Sequence, residues 1–278
     1  MEDLDFVTTK EAVHTVYEVE VARSFFLTHG KPASLQKDGL LFAEKSAGDR
    51  MFFLIRGEIA LTMGGKALDV IRGGEILGEM SVVTGLPRTA TAVARTDCML
   101  ISMSNSQFHE ALSRQPEFAL MLMHMMLARL RLMLSMLRVQ RGPAAVAPSS
   151  SGCVLHGKLL KDIATTLGES ALTRFPKGRH IIVEGATGTA MYALIKGSAD
   201  ISIQGKAMET ASPGGVFGEM ALIDAGPRAA TVTATSDCTL LGINKESFMQ
   251  LVRSNPLFGV DLLRGFAERL RHLNGLRK

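Results

Sequence analysis

The sequence predicts an α+β protein built from two copies of one domain, each a small antiparallel β-barrel flanked by helices. Three observations carry the prediction. The chain repeats itself at a constant offset of 140 residues, each copy runs from a possible helix through short apolar segments broken by glycine-rich turns, and each closes on a helical pattern after a proline. Strands first and a helix last is the order of an α+β domain, and short strands without helical crossovers close most simply into a barrel.

The elements follow in order. Residues 1–19 form an N-terminal leader, and "AVHTVYEVEVARSFFLTHG" predicts a short helical lead-in ending near Gly30. The first copy spans residues 20–140, with strands in segments such as "MFFLIRGEIALTM". Residues 141–154, including "RGPAAVAPSSSG", carry neither helical nor strand periodicity and read as a linker. The second copy, 155–278, has its counterpart strands in "MYALIKGSADISI". At the offset of 140, Gly57 matches Gly197, Gly78-Glu79-Met80 matches Gly218-Glu219-Met220, Pro87-Arg88 matches Pro227-Arg228, and Pro116 matches Pro256, without a gap. Such exact register marks a duplication.

Composition narrows the function. The chain has 278 residues, 46% of them hydrophobic, enough for two cores. A balance of 31 Lys+Arg against 27 Asp+Glu is too even to argue for nucleic acid or an anionic membrane. Cys98, Cys153 and Cys238 form no Cys-x-x-Cys or paired framework, and the acidic start "MEDLDFVTTK" is not a secretory signal, so a cytoplasmic location is expected. Phe118–Leu137 is apolar enough to resemble a membrane span, but His124, Arg129 and Arg131 would be costly in hydrocarbon. It reads as a soluble helix buried on more than one face.

The chemistry concentrates in "FGEMALIDAGPRAATVTA", Phe217 to Ala234, and its earlier copy "LGEMSVVTGLPRTATAVA", Leu77 to Ala94. Gly218 permits a conformation or close approach that a side chain would block, and "EMALI" can form one helical turn with free N–H groups outward. Those groups suit an anion. Arg228 adds a charged fork for phosphate oxygens, Glu219 is an acceptor suited to a ribose hydroxyl, and Ala229 and Ala230 leave room for a ring. An isolated pair of this kind would more often brace a loop. Two copies, each with nine residues from Glu to Arg, favour a binding site.

The stretch "FGEMALIDAGPRAATV" closely resembles the phosphate-binding cassette of cyclic nucleotide-binding domains, as in regulatory subunits of cAMP-dependent protein kinase, cyclic nucleotide-gated channels and Crp/Fnr regulators. The resemblance covers both copies and implies a double-stranded β-helix, or jelly roll. It implies that the cassette glutamate binds the ribose 2′-hydroxyl, that the arginine binds the cyclic phosphate, and that the terminal helix closes over the base. By position, Gly78, Glu79, Ser81, Arg88, Thr89 and Ala90 would form the first site. Gly218, Glu219, Ala221, Arg228, Ala229 and Ala230 would form the second. Arg129 and Arg269, each 41 residues after its cassette arginine, resemble a helix arginine that covers the base in hyperpolarisation-activated channels. There is no tryptophan, and neither Tyr17 nor Tyr192 lies in a terminal helix to provide a ring cap.

The reading that follows is a receptor: cAMP, with cGMP admitted at the first site through the Thr89 hydroxyl, changes a surface recognised by an unidentified effector protein. The alternative is a scaffold or regulatory assembly protein that keeps the fold while one or both sites are non-functional. No catalytic constellation or metal spacing points to an enzyme or a cofactor. The leader lacks the paired-basic pseudosubstrate of a kinase regulatory subunit, and no room remains after the second terminal helix for a helix-turn-helix, so direct DNA binding is not expected. No membrane partner is expected, and pairing of the terminal helices leaves a homodimer and an intrachain pseudo-dimer both open.

Overall fold

A computed structural model describes residues 18–141, 154–224 and 226–275, without the side chains of 134–141, 224 and 275. The leader before residue 18 and most of the linker, 142–153, lie outside the described residues. The chain divides into two compact units, one reaching Met121 and the other running from Leu122 to Arg277.

The first unit begins with helix α1 (Val19–His29), which stops at Gly30 as its spacing predicts. Strands β1 (Lys31–Leu35), β2 (Leu40–Phe42), β3 (Arg50–Arg56), β4 (Glu58–Met63), β5 (Lys66–Arg72) and β6 (Ile76–Leu77) follow, then helix α2 (Glu79–Thr84), strands β7 (Thr91–Ala94) and β8 (Cys98–Ser104), and helix α3 (Asn105–Arg114). They form two antiparallel four-stranded sheets, ordered β1-β8-β3-β6 and β2-β7-β4-β5. Phe52, Leu54 and Leu100 from one sheet bury against Ile59, Ile71 and Ala92 from the other. This is the jelly-roll arrangement, with its core between the sheets.

Local chemistry explains the helices around the roll. The Ser104 side chain accepts from the Gln107 backbone, while the Gln107 side chain accepts from the Ser104 backbone, closing a capping box that starts α3. Phe25 and Phe26 of α1 are fully buried; Phe25 stacks on Phe118 at 3.6 Å between centroids and Phe26 lies 5.6 Å from Phe53. Burying such rings contributes roughly 1.5–3 kcal/mol each and fixes α1 against the roll.

The long helix α4 (Glu117–Arg141) carries the chain from the first unit into the second. Phe118 to Met123 are all buried, as are Met125, Met126, Leu127 and Leu130. Unbroken burial over six successive residues covers every side of a helix, as the sequence predicts for this segment. Among the described residues no helix is long and apolar enough to cross a membrane, and no cluster of His, Cys, Asp or Glu could hold a metal ion.

The second unit repeats the roll. After helix α5 (Gly157–Leu167) come β9 (Leu172–Phe175), β10 (His180–Ile182), β11 (Ala190–Lys196), β12 (Ala199–Ile203), β13 (Lys206–Ala211) and β14 (Val216–Phe217). Helix α6 (Glu219–Asp224), strands β15 (Thr231–Ala234) and β16 (Cys238–Asn244), and helices α7 (Lys245–Ser254) and α8 (Pro256–Gly275) complete it. Its sheets run β14-β11-β16-β9 and β10-β15-β12-β13, matching the first pair strand for strand. Even the irregularities recur, with a register shift between Leu54 and Arg56 and again between Leu194 and Lys196. Bulges turn strands and are set by sequence, so their repetition at the same offset is a further sign of duplication.

Candidate functional site

The site in the second unit is built where β14 ends. Gly218 adopts a left-handed conformation, φ 83°, turning the chain from β14 into α6. A Cβ there would stand 2.7 Å from Arg228 Nη1, so the arginine also requires the missing side chain. Glu219 then opens α6 with its side chain buried, and Ala221, two residues on, is buried as well.

Arg228 reaches back across this turn. Its Nη1 donates to the Gly218 carbonyl at 2.8 Å and its Nη2 to the Ala190 carbonyl at 2.6 Å. The side chain is thus held by two main-chain oxygens, one at the cassette turn and one at the start of β11. Gly188 makes the approach feasible: a Cβ there would sit 2.1 Å from Arg228 Nε. Burial pulls the Arg228 guanidinium below its ordinary pKa, and Tyr192 and Glu219 oppose that shift. Ordinary arginine pKa values lie so high that the group stays cationic at neutral pH.

Arg269 of α8 donates through Nη1 to Oε1 of Glu219, forming an ion pair with little exposure on either side. Glu219 and Arg228 therefore do not simply brace one another; each has its own anchor. Gly218, Glu219, Ala221, Arg228, Ala229, Ala230 and Arg269, seven residues expected from sequence, line a single cavity of about 160 Å³. Its remaining wall is mainly apolar, with Ile201, Ile203 and Met208 from the roll and Leu273 from α8.

The first unit repeats the arginine fork. Arg88, buried at 5% exposure, donates from Nη1 to the Gly78 carbonyl at 2.9 Å and from Nη2 to the Arg50 carbonyl at 2.7 Å. Its guanidinium also lies 4.2 Å from the Phe42 ring centroid, a cation–π contact without a counterpart at Ile182. Burial lowers the Arg88 pKa, with Glu79 and Asp49 countering it. Nε of Arg88 is buried without a hydrogen-bond partner. Gly78 has φ 79°; Glu79, Ser81 and Ala90 are buried, and Thr89 is half-buried. Arg129 is half-buried on α4, in the unit that begins at Leu122, whereas Glu79 and Arg88 belong to the unit ending at Met121.

Sequence reasoning missed the other half of each arginine cradle. Gly48 and Gly188 are 140 residues apart, and a Cβ at Gly48 would stand 2.3 Å from Arg88 Nε. Their shared offset was a usable signal. The carbonyls of Arg50 and Ala190 carried none, because main-chain acceptors leave no mark on residue type.

Comparison with known proteins decides the lineage. The family model for the cyclic nucleotide-binding domain matches residues 32–115 and again 172–255. The chain belongs to that family, twice over. It is 27% identical over 206 residues to a cAMP-dependent protein kinase regulatory subunit of Eremothecium gossypii, covering 74% of this chain and 40% of the relative. It is 30% identical over 123 residues to the cyclic AMP receptor protein of Thermus thermophilus, covering 42% of this chain and 57% of the relative. The chain therefore spans roughly two-fifths to three-fifths of these relatives' lengths. The solved structure described as cAMP-bound PfPKA-R (141–441) aligns over 97% of this chain and 93% of its own, at 19% identity and a TM-score of 0.33. In these tandem cyclic nucleotide-binding domains, both cassettes lie on the strand–turn–helix that the sequence marked.

Proposed function

We propose that this protein is a cyclic nucleotide receptor with two sites and no catalytic activity of its own, passing ligand binding to an effector protein in the cytoplasm. The observation that carries the reading is the cavity of the second unit, where a cationic fork held by two carbonyls and a buried glutamate share one largely apolar chamber. Arg228 supplies fixed positive charge to a cyclic phosphate, Glu219 accepts from a ribose hydroxyl, and the apolar remainder takes a purine. Arg88 and Glu79 do the same in the first unit. The buried, unpartnered Nε of Arg88 fits an anionic oxygen, the kind of acceptor it lacks.

Transmission runs through α8. Arg269 joins α8 to Glu219 of α6, so whatever binds Glu219 changes the hold on the helix. A ligand shifts such an equilibrium only through contacts made differently in the two states, and this ion pair is one. The preferred ligand is cAMP at the second site, with cGMP tolerated at the first.

Equilibrium dialysis of the full chain with labelled cAMP and cGMP tests the proposal. Saturable binding at micromolar concentrations is expected. No binding of either nucleotide overturns the receptor reading and leaves a scaffold.

A further inference from the structure

The β12–β13 hairpin forms one wall of the cavity in the second unit. Ile201, Ile203, Met208 and Glu209 line that cavity, and all lie on the two strands. β15 supports β12 as far as Ser202, which pairs with Thr231, the first residue of β15. Between β12 and β13, Ile201 pairs with Glu209 and Ser202 with Ala207, so Met208 is the extra residue of a bulge. A bulge re-aims a side chain, here toward the cavity. From Ser202 outward the hairpin projects past its neighbour in the sheet.

A carboxylate holds the projecting end. The turn at Gln204-Gly205 has positive φ at both residues, 50° and 74°, as a two-residue type I′ hairpin requires. Glutamine adopts that conformation at a cost, and its N–H donates to Glu184 Oε2 at 2.7 Å. Glu184 is itself fixed beside Arg228. Its own N–H donates to the Thr231 hydroxyl at 3.0 Å, the Gly185 N–H donates to the Arg228 carbonyl at 2.9 Å, and the Arg228 N–H donates to the Ala186 carbonyl at 3.0 Å. One residue thus joins the main chain of the cationic fork to the tip of the wall.

The first unit repeats the linkage. The Gly64 N–H donates to Glu44 Oε2 at 2.7 Å, the Glu44 N–H to the Thr91 hydroxyl at 2.9 Å, and the Lys45 N–H to the Arg88 carbonyl at 2.9 Å. The copies differ at the turn, Gly64 against Gln204, yet keep the same acceptor. We propose that Glu184 is a positioning residue of the second site: its carboxylate sets the hairpin tip, with Ile203 and Met208, at a fixed spacing from Arg228. A ligand held by Arg228 then meets a wall that needs no further ordering. The inference rests on the receptor reading and adds to it a residue that acts through the wall.

The test uses the full chain carrying Arg88→Ala, so that calorimetry with cAMP reads the second site. Glu184→Ala removes the acceptor and is expected to weaken cAMP roughly three- to tenfold, the scale of one hydrogen bond. Glu184→Gln keeps an oxygen at the same reach and should bind as the parent does. Glu184→Asp keeps the charge but retracts it by one methylene, so it should lose affinity as alanine does, and it serves if the alanine variant does not fold. Adding Gln204→Asn to Glu184→Ala should restore most of the affinity, because Asn-Gly favours the type I′ turn by itself. Unchanged affinity in the alanine and aspartate variants, an equal loss in Glu184→Gln, or no recovery with Gln204→Asn would overturn the inference while leaving the receptor reading in place. If the parent chain binds no cAMP, both fall together.

Discussion

Arg269 and Glu219 stand 50 residues apart in the chain and form an ion pair between the terminal helix and the cassette helix. The Glu219 side chain is 3% exposed and that of Arg269 17%. Removing one partner of such a pair strands the other charge, at a cost of about 3–5 kcal/mol, whereas removing both costs far less. Arg269→Met and Glu219→Gln should therefore each lower the denaturant midpoint markedly, and the two changes together should recover much of it. Additive losses in that cycle would show that the pair contributes no coupling.

The same contact makes a prediction about signalling. Arg269→Ala should weaken cAMP binding less than Arg228→Ala does, but it should reduce the protection from hydrogen exchange that ligand confers on residues 257–275. Protection unchanged in a variant that still binds cAMP removes Arg269 from the switch.

The arginine forks predict affinity directly. Without Arg228 a cyclic phosphate loses the cation held at the cassette turn, and losing a charge-assisted contact costs about 1.5–3 kcal/mol, tenfold or more in affinity. Arg88→Ala should have that effect at the first site alone. Unchanged affinity at the altered site would leave these arginines a purely structural role.

Gly188 offers a test that leaves the charge in place. A methyl group there would overlap the Arg228 guanidinium, at 2.1 Å from Nε and 2.2 Å from Nη2. Gly188→Ala should displace the fork and reduce second-site affinity nearly as far as Arg228→Ala. Gly48→Ala should do so at the first site. Dialysis of each variant reads the outcome, and wild-type affinity would mean that the fork tolerates displacement.

Base preference hinges on the residue after each arginine, Thr89 in one copy and Ala229 in the other. A hydroxyl can bond the exocyclic amine of a guanine and a methyl group cannot. Thr89→Ala should weaken cGMP more than cAMP at the first site, measured by competition against labelled cAMP. Equal weakening would assign Thr89 to the phosphate or to the turn.

The cassette was legible because its chemistry sits in side chains and repeats: Glu219, Arg228 and the small residues between strand and helix all line the cavity that their order suggests. The duplicated roll was legible for the same reason, as was the buried character of α4. What sequence could not give was pairing across distance. Nothing local distinguishes Leu130 from the other apolar residues of α4, and its place in the lining of the second unit's cavity depends on how the helix packs. Nor does the Arg269 position alone separate a snorkelling side chain from one bonded to Glu219. The acceptors on Arg50 and Ala190 were invisible because every residue carries the same carbonyl.

That invisibility has an evolutionary side. Because Arg88 and Arg228 are fixed by main-chain oxygens, the residues contributing those oxygens can change identity without loosening the fork. The two copies already differ there: Arg50 in the first carries a side chain that reaches the Ser102 hydroxyl at 3.3 Å, and Ala190 in the second carries almost none. After a duplication, such positions let each copy acquire private contacts beside its arginine fork while the fork itself is inherited intact.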